Sequence, residues 1–131
     1  TIKFMGGTKE PEKAYNSADV VVMSSITEGF PFAVIEAMAC GKAIIASDVG
    51  GVGEALQGCG ILVRSRRAHE LANAIVMLLN DESRRTKLGI AAAKKVSEEF
   101  TLEQSITKFQ DQYELFSESS EKIDCSKIGV S

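Results

Sequence analysis

Two uninterrupted apolar runs constrain this chain more than any other feature. VVVM at 20–23 and AIIAS at 43–47 are too short for stable helices and have no polar face. VVVM suits a strand covered on both sides, as in a parallel sheet, and AIIAS is the next strand. A parallel neighbour needs a crossover, and the stretch between the runs supplies one. Pro31 suits a first helical position, an apolar run follows to Cys40, and Gly41 is a stop signal. ILV at 61–63 repeats the strand pattern after a short helix near 52–57. Strands alternating with helices predict βαβ units and an α/β, doubly wound parallel sheet.

The flanks extend the pattern. IKFM at 2–5 reads as a strand closed by the turn Gly6-Gly7, and residues 11–18 read as a helix begun by Pro11. Beyond Ala68 the chain turns helical, with Leu71, Ile75, Leu78 and Leu79 recurring on one face. Asp81 or Ser83 starts a further helix that turns Leu88, Ala92 and Val96 inward. A last helix begins near Thr101 and lines up Ile106, Phe109, Tyr113 and Phe116. From Ser117 the sequence is polar, serine-rich and poorly periodic, so 117–131 is expected to be a disordered tail.

Charge and cysteines exclude several classes. A net charge of −3 gives no electrostatic reason for nucleic acid as a partner. No apolar run reaches the ~18 residues of a membrane span. Cys40, Cys59 and Cys125 are widely spaced and His69 is the only histidine, so no metal site is expected. The same pattern fits a reducing, cytoplasmic compartment.

Chemistry concentrates in EGFPFAVIEAMACG at 28–41. Glu28 stands at the mouth of the predicted helix and Glu36 lies eight positions later, inside it. A helix mouth presents unpaired N–H groups and a positive dipole end, which suit an anion. Acidic residues on either side of that anion can accept hydrogen bonds from hydroxyls. A sugar nucleotide has this layout of sugar hydroxyls, diphosphate and ribose hydroxyls.

The pair Glu28 and Glu36 resembles the E-x7-E motif of retaining nucleotide-sugar glycosyltransferases of the GT-B fold, and of their group 1 family in particular. ADVVVMSS before the motif agrees, as do GKAIIASDVGGVGEAL, GCGILV, LANAIVMLLND and EEFT after it. The similarity runs in order over residues 1–116, which are read as a partial nucleotide-sugar-binding domain from the C-terminal half of a GT-B fold. It implies transfer of a hexose, with retention, from a nucleotide diphosphate sugar such as UDP-glucose. It implies no metal and no other cofactor, and no D-x-D sequence occurs. The acceptor, a glycan or a lipid-linked molecule, would bind an N-terminal domain that this chain does not contain. The first two βα units of the C-terminal half are also missing, with the Arg/Lys pair that grips the diphosphate. The isolated chain is therefore expected to be inactive, and the strand edges left exposed invite self-association.

By the same resemblance, Glu28 is the catalytic candidate and holds hydroxyls of the transferred sugar, while Glu36 accepts from the ribose. Gly29, Phe30 and Phe32 offer backbone N–H groups to phosphate or sugar oxygens. Gly50 and Gly51 let the backbone approach the donor. Each residue also has a plainer reading. Glu28 can simply pair with the helix dipole, worth ~0.3–1 kcal/mol. Glu36 can be a solvated helical glutamate, Phe30 and Phe32 core side chains, and Gly50-Gly51 an ordinary turn. Glu54 serves equally as a helix cap or a ligand contact, and Arg64, Arg66 and Arg67 read as a solvated edge. The rival to an enzyme is a non-catalytic module that binds a nucleotide or a partner chain.

Overall fold

The computed structural model describes residues 2–27, 29 and 31–100. The elements run α1 (Pro11–Asn16), β1 (Val20–Met23), α2 (Phe32–Ala39), β2 (Ala43–Ser47), α3 (Val52–Leu56), β3 (Ile61–Val63), α4 (Ala68–Leu79) and α5 (Glu82–Glu99). The expected helix after Thr101 and the tail at 117–131 lie outside the described residues, as does Cys125. Thr1–Glu98 clusters as one compact unit.

The three strands form a parallel sheet in the order β1-β2-β3. Val20 pairs with Ala43 and Met23 with Ala46, while Ile45 pairs with Ile61 and Ser47 with Val63. β2 is central and every one of its residues is buried. Successive strand side chains point to opposite faces, so both faces of β2 must be covered. One face is packed by α4: Ala43, Ile45 and Val63 join Ala74 and Leu78 in one cluster, with Leu71, Ile75 and Leu88 against it. The other falls to α2 and α3, the crossover helices, which both contact β2. They bring the buried Val34, Ala37, Met38, Val52, Ala55 and Leu56. This is the Rossmann-like, doubly wound arrangement expected from the alternating pattern.

Helix ends follow local chemistry. Gly41 sits at φ 65° and closes α2. Its N–H donates to Met38 O at 2.9 Å and that of Lys42 to Ala37 O at 3.2 Å, the paired bonds of a Schellman stop. Asp81 caps α5 through Oδ1, which accepts from the Arg84 N–H at 2.9 Å. Lys42 Nζ donates to the carbonyls of Asn16, the last residue of α1, and of Ala18, at 3.0 and 3.2 Å.

Three expectations need correction. VVVM is a strand but is not buried on both faces, since Val22 of the edge strand β1 is exposed. Residues 2–8 carry no regular structure, and Ile2, Phe4 and Met5 are 85, 94 and 77% exposed. IKFM has the composition of a strand, but a strand forms only when its backbone finds a ladder partner. Among the described residues, 2–8 pair with no strand of the sheet. Leu79 is also 53% exposed, because the buried stripe of α4 runs through Ala74 and Leu78 and leaves Leu79 at its margin. Cys40 is half-buried and Cys59 buried, and neither forms a disulfide among the described residues.

Candidate functional site

In an open parallel sheet, ligands meet the carboxyl ends of the strands, where the strand-to-helix loops gather. Residues 24–31 lead from β1 to α2 here, and residues 48–51 lead from β2 to α3. Asp48 N–H donates to Val63 O at 2.8 Å, which extends the β2–β3 ladder by one residue. The chain then reverses through Val49 and Gly50. Gly50 holds φ 52°, in the left-handed region that glycine enters without steric cost.

The two loops touch. A β-carbon placed on Gly51 would lie 3.4 Å from Pro31 Cδ and 3.6 Å from Gly29 O. Pro31 is buried and stands at the N-cap position of α2 with φ −84°, one residue before the helix proper. Proline has no side-chain acceptor, so no side-chain cap covers the α2 mouth. Pro31 therefore subtracts a backbone donor and also serves as the surface on which the second glycine loop rests.

Gly29, Gly50 and Gly51 are thus gathered at one edge of the sheet. Phe32, the first residue of α2, is 51% exposed, so its side chain is not part of the core. Glu36 lies one turn further along α2, exposed, and its carboxylate reaches a residue of α1. Its Oε2 accepts a hydrogen bond from the Tyr15 hydroxyl at 3.2 Å. Burial pushes the Tyr15 phenol above its ordinary pKa, and the Glu36 charge, the hydrogen bond to it and the Cys40 thiol push the same way. Glu28 and Phe30 lie outside the described residues. Glu54 is exposed in the first turn of α3 and makes no side-chain cap.

Sequence reasoning gave Tyr15 no role. Nothing local marks it: Tyr15 sits in a short polar helix and its partner is 21 residues away.

The arginines gather on the α4 side of the same edge. Arg64 Nε donates to Glu70 Oε1 at 2.8 Å, its terminal nitrogen pairs with the same oxygen, and its backbone N–H donates to Oε2 at 3.2 Å. These hydrogen bonds hold the Glu70 carboxyl below its ordinary range and raise the Arg64 guanidinium. All three arginines are exposed, as a solvated edge requires. A cleft of about 270 Å³ opens beside them, lined by Ser24, Ile26, Ser47, Val63 and Leu71 together with the arginine stems. It includes none of Gly29, Phe32, Glu36, Gly50 or Gly51. Among the described residues, no group of three or more His, Cys, Asp or Glu side chains is arranged to hold a metal ion.

A parallel α/β half-domain with two glycine-bearing loops converging at its carboxyl edge is the build of a GT-B C-terminal domain. Residues 1–81 match the family model for glycosyl transferases group 1. The chain is 36% identical over 95 residues to the N,N'-diacetylbacillosaminyl-diphospho-undecaprenol alpha-1,3-N-acetylgalactosaminyltransferase of Campylobacter jejuni, covering 71% of this chain and 25% of that protein. Its fold matches HepE of Anabaena, solved in complex with UDP-glucose, with a TM-score of 0.75 at 28% identity, covering 88% of this chain and 32% of that one. It likewise matches the C-terminal domain of LpcC, a group 1 family glycosyl transferase of Francisella tularensis, with a TM-score of 0.68 at 29% identity over 77% of this chain and 53% of that one. The chain belongs to the group 1 glycosyltransferase family and forms part of the Rossmann-like C-terminal domain of its GT-B fold. It spans about a quarter of the length of the curated relatives it matches.

Proposed function

We propose that this chain is the donor-binding part of a metal-independent, cytoplasmic glycosyltransferase that transfers a hexose, with retention, from a nucleotide diphosphate sugar. The observation that carries this reading is the closeness of Gly51 to Pro31 and Gly29 O, which brings two glycine loops together at the mouth of α2, where Pro31 gives no side-chain cap. The HepE complexes with UDP and UDP-glucose support such a donor.

In this reading the diphosphate lies at the α2 mouth, against the N–H groups of Gly29, Phe30 and Phe32. Gly50 and Gly51 let the backbone approach it. Glu28 accepts from hydroxyls of the transferred sugar. Glu36 sits roughly 7–8 Å deeper along α2, at 1.5 Å per residue from Pro31, and accepts from the ribose. The donor phosphate assists loss of the acceptor proton on the face from which the diphosphate departs. Oriented dipoles at the helix mouth stabilise the charge that develops on that diphosphate. The acceptor, a glycan or a lipid-linked molecule, binds a domain beyond this chain, so the chain alone produces no transfer.

The test compares two substitutions in the protein extended to the length of its relatives. Glu28→Gln keeps the shape but removes charge-assisted hydrogen bonding, so turnover falls further than affinity for the free nucleoside diphosphate. Glu36→Ala weakens nucleotide binding itself by ~1.5–3 kcal/mol, the scale of hydrogen bonds to a charged group. Calorimetry, transfer rates and a thermal melt separate the two. Equal effects on nucleotide affinity with unchanged melting would overturn the assignment of sugar to Glu28 and ribose to Glu36. Nucleotide binding with no transfer in the extended protein would mark a non-catalytic module.

A further inference from the structure

Tyr15 stands outside the site as the family motif defines it, yet it is the one donor to the Glu36 carboxylate among the described residues. No cation pairs with Glu36 among them. One oxygen of the carboxylate is therefore held by a neutral hydroxyl and not by a cation. Oε1 has no partner among the described residues.

Glu36 is an exposed helical side chain. Such a side chain ordinarily samples several rotamers, and ordering it costs up to ~2 kcal/mol. A lysine or arginine partner would order it too, but would compete for its charge. A phenol orders it and leaves that charge for other donors. Tyr15 is itself well placed for the task. Its helix opens on Pro11, and Lys42 Nζ binds the carbonyls of its last residue, Asn16, and of Ala18. The phenol thus projects from an anchored segment.

We propose that Tyr15 is a positioning residue that holds Glu36 for a pair of adjacent neutral hydroxyls, and so makes the site select ribonucleotides over nucleotides lacking the 2′ and 3′ hydroxyls. This inference rests on the donor reading above, in which Glu36 faces the ribose. Hydroxyl donors to a carboxylate make charge-assisted bonds, and an acceptor fixed beforehand loses less entropy on binding.

The test is an NMR titration of this chain with UDP, GDP and ADP, followed by the 2′,3′-dideoxy form of whichever binds best. Tyr15→Phe, Glu36→Ala and the double variant are compared, with a thermal melt for each. Tyr15→Phe is expected to weaken the ribonucleotide roughly two- to twelvefold, the scale of one net hydrogen bond. It should leave the dideoxynucleotide unchanged and add nothing in the Glu36→Ala background. If Glu36→Ala loses affinity and Tyr15→Phe does not, the role of Tyr15 is overturned while the donor reading stands. If Tyr15→Phe weakens both nucleotides equally, Tyr15 acts through packing and the inference also falls. If Glu36→Ala leaves affinity unchanged, or no nucleotide binds, the ribose assignment falls and takes Tyr15 with it.

Discussion

Gly89 of α5 lies so close to Gly41 that a β-carbon at position 89 would stand 2.1 Å from the Gly41 carbonyl oxygen. Gly41 is the left-handed residue that ends α2, so α5 is seated directly on the turn that returns the chain to β2. The obstructing atom is backbone and cannot swing aside. Gly89→Ala gains about 1 kcal/mol of helix propensity, but relieving the clash requires α5 to move from the core that Leu88 and Ala92 help to fill. We expect a net loss in the overpacking range of ~1–3 kcal/mol. Urea unfolding of Gly89→Ala beside Gly7→Ala, where no atom lies within 4 Å, measures it. Equal stability of the two variants would show that α5 does not seat on Gly41.

The Tyr15–Glu36 bond makes stability depend on alkaline pH. The folded phenol has a raised pKa, through burial first and then through the Glu36 charge, so the folded state holds the proton more tightly than the unfolded chain. The resulting stabilisation is fully present below the unfolded value near ~10 and is lost as pH rises through the folded one. Spectroscopic titration in a Tyr113→Phe background isolates Tyr15. Glu36→Gln should bring its pKa down toward the ordinary value. An unchanged titration would mean that the carboxylate is not held at the phenol in solution.

β1 pairs only with β2, and its outer edge has no strand partner among the described residues. Ile2, Phe4 and Met5 are exposed apolar side chains as well. Unpaired edges of this kind template association. Light scattering should show the chain self-associating as its concentration rises. Val22→Lys, at a β1 position 39% exposed, should reduce that association. A stable monomer at high concentration, with residues 2–5 still unpaired, would contradict the expectation.

What could be read from the sequence was local or periodic. VVVM, AIIAS and ILV became β1, β2 and β3 because short apolar runs alternating with helical segments fit the strands of a parallel sheet. Only the central β2 is covered on both faces, since Val22 of β1 and Leu62 of β3 stay exposed at the two edges. Gly41 and Asp81 announced helix ends because a left-handed residue and a side-chain oxygen acceptor have few other uses there. The meeting of the two glycine loops followed from parallel topology, which brings successive strand-to-helix loops to one edge. Features that depend on a distant partner were not legible. IKFM has strand composition but no ladder to join. Tyr15 finds Glu36, and Gly89 finds Gly41, only once the chain has folded back. Leu79 shares the apolar character of Leu78, yet whether it is covered depends on how α4 is rotated against the sheet.

The central claim is that the donor occupies the converged glycine loops and the α2 mouth. Mapping amide chemical shifts of this chain as UDP-glucose is added tests it most directly. The account predicts that the largest changes fall on Gly29, on residues 32–36 and on Gly50 and Gly51, with Tyr15 responding through Glu36. Changes confined to the cleft lined by Ser47, Val63, Arg66 and Leu71, with the glycine loops silent, would place the ligand on the other face of the sheet and contradict it.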